Sequence, residues 1–143
     1  EQLTSDHGWN IPPNQSVLQQ VLSELRNSGI RSSLFLDPDP EMVDHVQGVA
    51  ADRIELYTED FASHYAGPEQ EPVFERYRAA AQRADQLGIG INAGHDLDLQ
   101  NLAKFLQMPN ILEVSIGHAL VVESLQLGVS AVIAKYLAIV GRN

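Results

Sequence analysis

Residues 89–120, IGINAGHDLDLQNLAKFLQMPNILEVSIGHAL, decide how this chain folds. Two short apolar runs, IGINAG and LEVSIG, stand near the two ends, and each leads directly into a histidine: Gly94-His95 after the first, Gly117-His118 after the second. Between them Asp98 is placed to cap a helix carrying Leu99, Leu102, Ala103 and Leu106, with Pro109 beyond its end. Strand, helix, strand in this spacing is the repeating unit of a parallel sheet, because parallel neighbours need a long crossover between them.

The same unit recurs toward the N-terminus. Val17, Leu18, Val21, Leu22 and Leu25 follow helical spacing over 16–27, and SGI stops that helix before the strand RSSLFLD. After DPDP, where Asp and Pro suit a helix start, Met42, Val43, Val46 and Val49 mark a short helix, and RIELYTE is the next strand. DFASHYAGPEQEP reads as a loop. Val73, Tyr77, Ala80, Ala81, Ala84 and Leu87 then predict a long helix ending at Gly88. Past the second Gly-His pair, Leu125, Val129, Val132, Ile133, Tyr136, Leu137 and Val140 predict one final helix. The order is one helix followed by four strand-helix units, an α/β single domain over 1–143 with parallel strands and right-handed crossovers.

Strand side chains alternate between faces. Leu34 with Leu36, Ile54 with Leu56, Ile89 with Ile91, and Leu112 with Val114 and Ile116 form an apolar face that should meet the helices. The opposite face receives Ser33, Phe35, Asp37, Glu55, Tyr57, Asn92, Glu113 and Ser115, which is polar for the core of a doubly wound sheet. The interior of a (β/α)8 TIM barrel, whose upper layer is an active site, explains that face better. Four units are half of such a barrel.

Composition narrows the function. The chain has 19 acidic and 9 basic residues, a formal net charge of -10, which disfavours nucleic acid or an anionic membrane surface as a partner. No run approaches the roughly 18 apolar residues of a membrane span, so a soluble, cytoplasmic protein is expected. With no cysteine, disulfides, thiolate metal sites and cysteine nucleophiles are excluded. The chain opens at EQLTSDHGWN without an initiator Met or a signal region and is expected to be a fragment of a longer protein.

Candidate chemistry gathers at strand ends. In SIGHAL no polar loop separates strand from helix, so the amides of Gly117, His118 and Ala119 can act as a helix N-terminus that seats a phosphate; a plain structural turn is the alternative. His95 carries an imidazole, a group that can act as acid or base, or is a surface-loop histidine. Glu55 lies in mid-strand, where an ionised carboxylate is costly unless it is partnered or functional; a structural hydrogen bond to a neighbouring strand is the bland account. Asp37 can be a site residue or a helix cap, and Asn92 can orient a neighbour or bind substrate. His95, Asp96 and His118 lack compact metal-ligand spacing, so no metal is expected. His7 and His64 fall in predicted loops and His45 in a helix, all expected in solvent. There is no Ser-His-Asp order and no phosphate-binding P-loop pattern.

The succession SLFLD, IELYT, INAGHDL and SIGHAL, with EQLT at the start, resembles the C-terminal portion of pyridoxine 5'-phosphate synthase over essentially the whole chain, most specifically in NAGH and IGHA. The resemblance implies the last four strand-helix units of a TIM barrel in a homo-octamer. It also implies condensation of 1-deoxy-D-xylulose 5-phosphate with 3-amino-2-oxopropyl phosphate, with ring closure, release of phosphate and water, and no cofactor. By resemblance His95 takes a general-acid position and Glu55 a carboxylate position that stabilises charged intermediates. Thr4, Asp96, Gly117 and His118 match substrate-binding positions, the last two at a phosphate. The residue after the first histidine is usually glycine in that family; Asp96 departs from it, and its carboxylate must point away from a phosphate or weaken binding. The family's other acid-base histidine and glutamate and its substrate-gripping arginines precede Glu1, so this segment alone is expected to be inactive. A non-catalytic phosphate-binding α/β module and another phosphosugar barrel enzyme are the alternatives; no strand lysine supports a Schiff-base aldolase.

Overall fold

The computed structural model describes residues 6–141, so Thr4 lies outside the described residues. Four strands, β1 (Ser33–Leu36), β2 (Arg53–Tyr57), β3 (Gly90–Gly94) and β4 (Ile111–Ser115), form one parallel sheet in the order β1-β2-β3-β4. Among the described residues seven helices accompany them: α1 (Ile11–Asn27), α2 (Pro40–Val49), α3 (Glu59–His64), α4 (Gln70–Gln86), α5 (Leu102–Phe105), α6 (His118–Leu127) and α7 (Val129–Ile139). The chain is thus an α/β protein with strand order equal to sequence order. Right-handed crossovers in such a sheet carry every connecting helix to the same face.

Burial divides the two faces as alternation predicts. Leu34, Leu36, Ile54, Leu56, Ile91 and Ala93 are buried and join Val43, Val46, Tyr77, Ala80, Ala81 and Ala84 from α2 and α4 in one apolar core. On the opposite face Ser33 and Ser115 are exposed and Phe35, Glu55 and Tyr57 half-buried. One strand departs from the expected pattern. Ile111 pairs with Ile91 but Glu113 with Asn92, so Leu112 is an extra, bulged residue. Leu112 is consequently half-exposed, and Ile111 takes its place against the core.

Local chemistry explains the element ends. Asp39, one residue before Pro40, caps α2 by accepting from the Glu41 amide at 2.9 Å. The cap is therefore Asp39 and not Asp37, whose carboxylate accepts from the Gly8 amide instead. α1 and α4 end alike: Gly29 and Gly88 have φ near +70°, and the amides of Ile30 and Ile89 reach back five residues to Leu25 and Ala84 at 2.9 Å. Each closure turns a helix straight into the run toward the next strand.

Four helix assignments need correction. α1 starts at Ile11, earlier than the periodic run, because Pro12 and Pro13 suit a first turn whose amides need no partner. The segment after β2 is not wholly loop: Glu59 and Asp60 open the six-residue α3, which buries Phe61, and His64 is its last residue. The helix after Asp98 is only one turn, because the Asp98 carboxylate takes the amides of Gln100 and Asn101 into a preceding turn. The final helix is two, α6 and α7, broken at Gly128 with φ +86° and ψ 138°.

Candidate active site

Parallel strands bring their carboxyl ends to one edge of the sheet, where α/β folds hold ligands. Asp37, Thr58, His95 and Gly117 all lie just beyond strands there. The polar face leading to that edge is layered. Below, Arg53 donates to Asn92 Oδ1 at 3.0 Å and to Glu113 at 3.2 Å, while Asn92 donates to the Ser33 hydroxyl at 3.2 Å. Asn92 therefore orients its neighbours and has both ends of its amide engaged within the sheet. Above this band stand Phe35, Glu55, Tyr57 and His95.

His95 is the centre of the upper layer. Simple alternation would send its side chain the way of Ala93, into the apolar core. The backbone instead turns left-handed, with φ +89° at His95 and +57° at Asp96. The imidazole comes to lie 4.8 Å from the Tyr57 ring and 5.3 Å from Phe35, centroid to centroid. Two successive non-glycine residues at positive φ cost about 1–3 kcal/mol each, and such outliers persist where the surroundings over-determine them. The imidazole Nδ1 is buried and, among the described residues, makes no hydrogen bond. A buried polar atom without a protein partner is uncommon and leaves that nitrogen open to a water or a ligand.

Glu55, in the middle of β2, reaches the same layer. Its Oε1 lies 2.9 Å from where a Cβ on Gly94 would sit, and the Ser115 Cβ lies 3.3 Å from that point. A side chain at 94 would crowd the carboxylate in its present position beside β3. Burial pushes the Glu55 carboxyl above the ordinary carboxylate range, with His95 pulling it back down and Glu113 pushing it further up. The Tyr57 phenol is also raised, by burial first and then by Glu59 and Asp96.

The remaining candidates form a second cluster. Gly117 precedes α6, and His118 is that helix's exposed first residue. A hollow of about 320 Å³ is lined by His118 and Ala119, by Asp96, Asp98 and Asn101, and by Glu59, Ala62 and Ser63 of α3. Asp96 and His118 are thus brought together, while Thr4 cannot be placed. The hollow is lined by three acidic residues and neither lysine nor arginine, so an anion there depends on the amides at the start of α6. Among the described residues no three His, Asp or Glu side chains are placed so that they could hold a metal ion together.

Three contributors were missed from sequence. The fully buried Thr58 hydroxyl donates to the carbonyl oxygens of Gly94, at 2.7 Å, and of His95. Arg53 anchors the lower polar band. Glu123 accepts from the Leu99 amide at 3.1 Å with one oxygen and from the Tyr136 hydroxyl at 2.6 Å with the other, joining the loop after β3 to α7. Arg53 was legible by alternation alone, since it shares a face with Glu55; the other two contacts carry no sequence signal.

Fold and site together define an α/β protein with sequence-ordered parallel strands and a histidine–carboxylate layer at their carboxyl ends. The chain belongs to the pyridoxal phosphate biosynthesis protein PdxJ family, whose model matches residues 1–142. The pyridoxine 5'-phosphate synthase of Albidiferax ferrireducens is 45% identical over 143 residues, covering 99% of this chain and 57% of that protein. That of Flavobacterium johnsoniae is 47% identical over 136 residues, covering 94% and 57%. The chain therefore spans a little over half the length of these relatives. A solved structure, the Amycolatopsis orientalis BexX/CysO complex, superimposes with a TM-score of 0.50 at 15% identity, over 88% of this chain and 51% of that one; this likeness concerns the fold alone.

Proposed function

We propose that this chain is the C-terminal half of a (β/α)8 barrel and carries part of the active site of a pyridoxine 5'-phosphate synthase. Support for the barrel comes from the strand order, which has no reversal point of the doubly wound kind, and from a polar face opposite the helices. The observation that carries the catalytic reading is His95 itself: a strained strand-end histidine beside a half-buried carboxyl, with a ring nitrogen that has no hydrogen-bond partner among the described residues.

In this reading the two substrates are 1-deoxy-D-xylulose 5-phosphate and 3-amino-2-oxopropyl phosphate. His95 gives a proton to a leaving oxygen during the dehydrations that follow imine formation between them. Glu55, sharing the layer, stabilises positive charge that develops on nitrogen when ionised. Gly117 and His118 hold a phosphate through amides at the start of α6, with Asp96 contributing its backbone amide. The other acid-base residues and the octameric, cytoplasmic setting belong to the same proposal and lie with the rest of the full-length protein.

The test is product formation by the full-length protein, by its His95→Asn variant and by the 143-residue segment alone. His95→Asn should lower turnover by roughly 10²–10⁴-fold while leaving binding of the phosphorylated substrates in place, and the segment alone should form no product. Unchanged turnover in His95→Asn, or a normal rate from the segment, would sink the proposal.

A further inference from the structure

Resting on that reading, we propose that Thr58 is a positioning residue for His95: its hydroxyl clasps the carbonyls of Gly94 and His95 and so holds the turn that brings the imidazole onto the polar face. Thr58 stands immediately before α3, in the position where a threonine ordinarily turns its oxygen to the amides of its own helix. It makes no such cap. The hydroxyl is fully buried and shares its one proton between two carbonyls at the end of β3, while the Thr58 amide donates a third bond to Gly94 at 3.0 Å.

The geometry links this clasp to the histidine and not only to the pairing of β2 with β3. Gly94 and His95 are the residues on either side of the point where the chain leaves extended geometry. Fixing both carbonyls fixes the peptide between them and with it the direction in which the His95 side chain departs. Phe35 and Tyr57 then bound the ring on two sides. Released from the clasp, the chain can relax from positive φ at His95, and the ring leaves Tyr57.

The experiment compares Thr58→Val, nearly the same shape without a donor, with Thr58→Ser, which keeps the hydroxyl, in the full-length protein. Two readouts are taken. The His95 ring-proton resonances, displaced by the ring currents of Tyr57 and Phe35, should move well back toward the free-histidine position in Thr58→Val and stay put in Thr58→Ser. For pyridoxine 5'-phosphate formation, kcat should fall on the order of 10- to 100-fold in Thr58→Val, with KM nearly constant and the loss largely rescued in Thr58→Ser. A folded Thr58→Val with native ring resonances overturns the proposal, as does one whose ring has moved while kcat is unchanged. If the wild-type protein makes no product, the functional reading fails and the ring resonances decide the clasp by themselves. Should Thr58→Val not fold, the wild-type hydroxyl proton decides: slow exchange and a cross-peak to His95 support the clasp, and exchange at the rate of free hydroxyls overturns it.

Discussion

The Glu55 carboxyl is half-buried at mid-strand, and that burial raises its affinity for a proton above the ordinary value of 4.5. The folded state then binds the proton more tightly than the unfolded chain does. Stability is lost as pH rises from 4.5 through the higher folded value, and the penalty is fully present once the group is ionised. Glu55→Gln removes the ionisation. It should raise the melting temperature at neutral pH, and the gain should shrink toward zero as the pH is lowered to about 4.5. Thermal melts of both proteins at the two pH values check this; a gain of the same size at both would show that shape and not charge is responsible. Glu55 and His95 were legible as residues because each breaks a local rule, a carboxylate inside a strand and a histidine directly after one. Thr58 was not, since the partners of its hydroxyl lie 36 and 37 residues away.

At the scale of elements, α2 closes on Ala50 in the left-handed conformation, φ +58° and ψ 40°. An alanine there carries the steric cost that glycine avoids. Ala50→Gly should therefore stabilise the protein by about 0.5–1 kcal/mol, measured as a shift in the urea midpoint at unchanged slope; destabilisation would contradict it. The long amphipathic helices and four strands could be read from periodicity because burial on one face imposes it. α3 could not: its six residues are too few to establish a period, and the breakers of AGP follow at once. The break between α6 and α7 was hidden for the opposite reason. The apolar pattern continues across Gly128 although the chain does not stay helical. The bulge at Leu112 is equally silent, because an inserted residue in a run of apolar side chains leaves the run looking intact.

For the molecule as a whole, exposed large apolar side chains are most numerous on the last two helices, with others on α1. Val121, Leu125, Leu127, Val129, Ile133 and Leu137 on α6 and α7 are all exposed, Leu125 by 84%. Exposed apolar side chains in this number promote association, and β4 presents an edge of the sheet, whereas along β1 the Trp9 amide donates to the Phe35 carbonyl. Leu125→Lys puts a cation in the last turn of α6, where the helix dipole favours one. It should reduce concentration-dependent light scattering of the isolated segment while changing stability by less than about 0.5 kcal/mol. Unaltered scattering would place the association elsewhere, at the strand edges.

Glu123 gives this architecture a mechanical character. Burial and the Glu123 carboxylate both raise the Tyr136 hydroxyl far above its ordinary range, so it remains a donor throughout the physiological pH range. One carboxylate thereby moors the loop beyond His95 to α7. Slackening that helix slackens the loop in the same event, so α7 sets the stiffness of the ground beside His95.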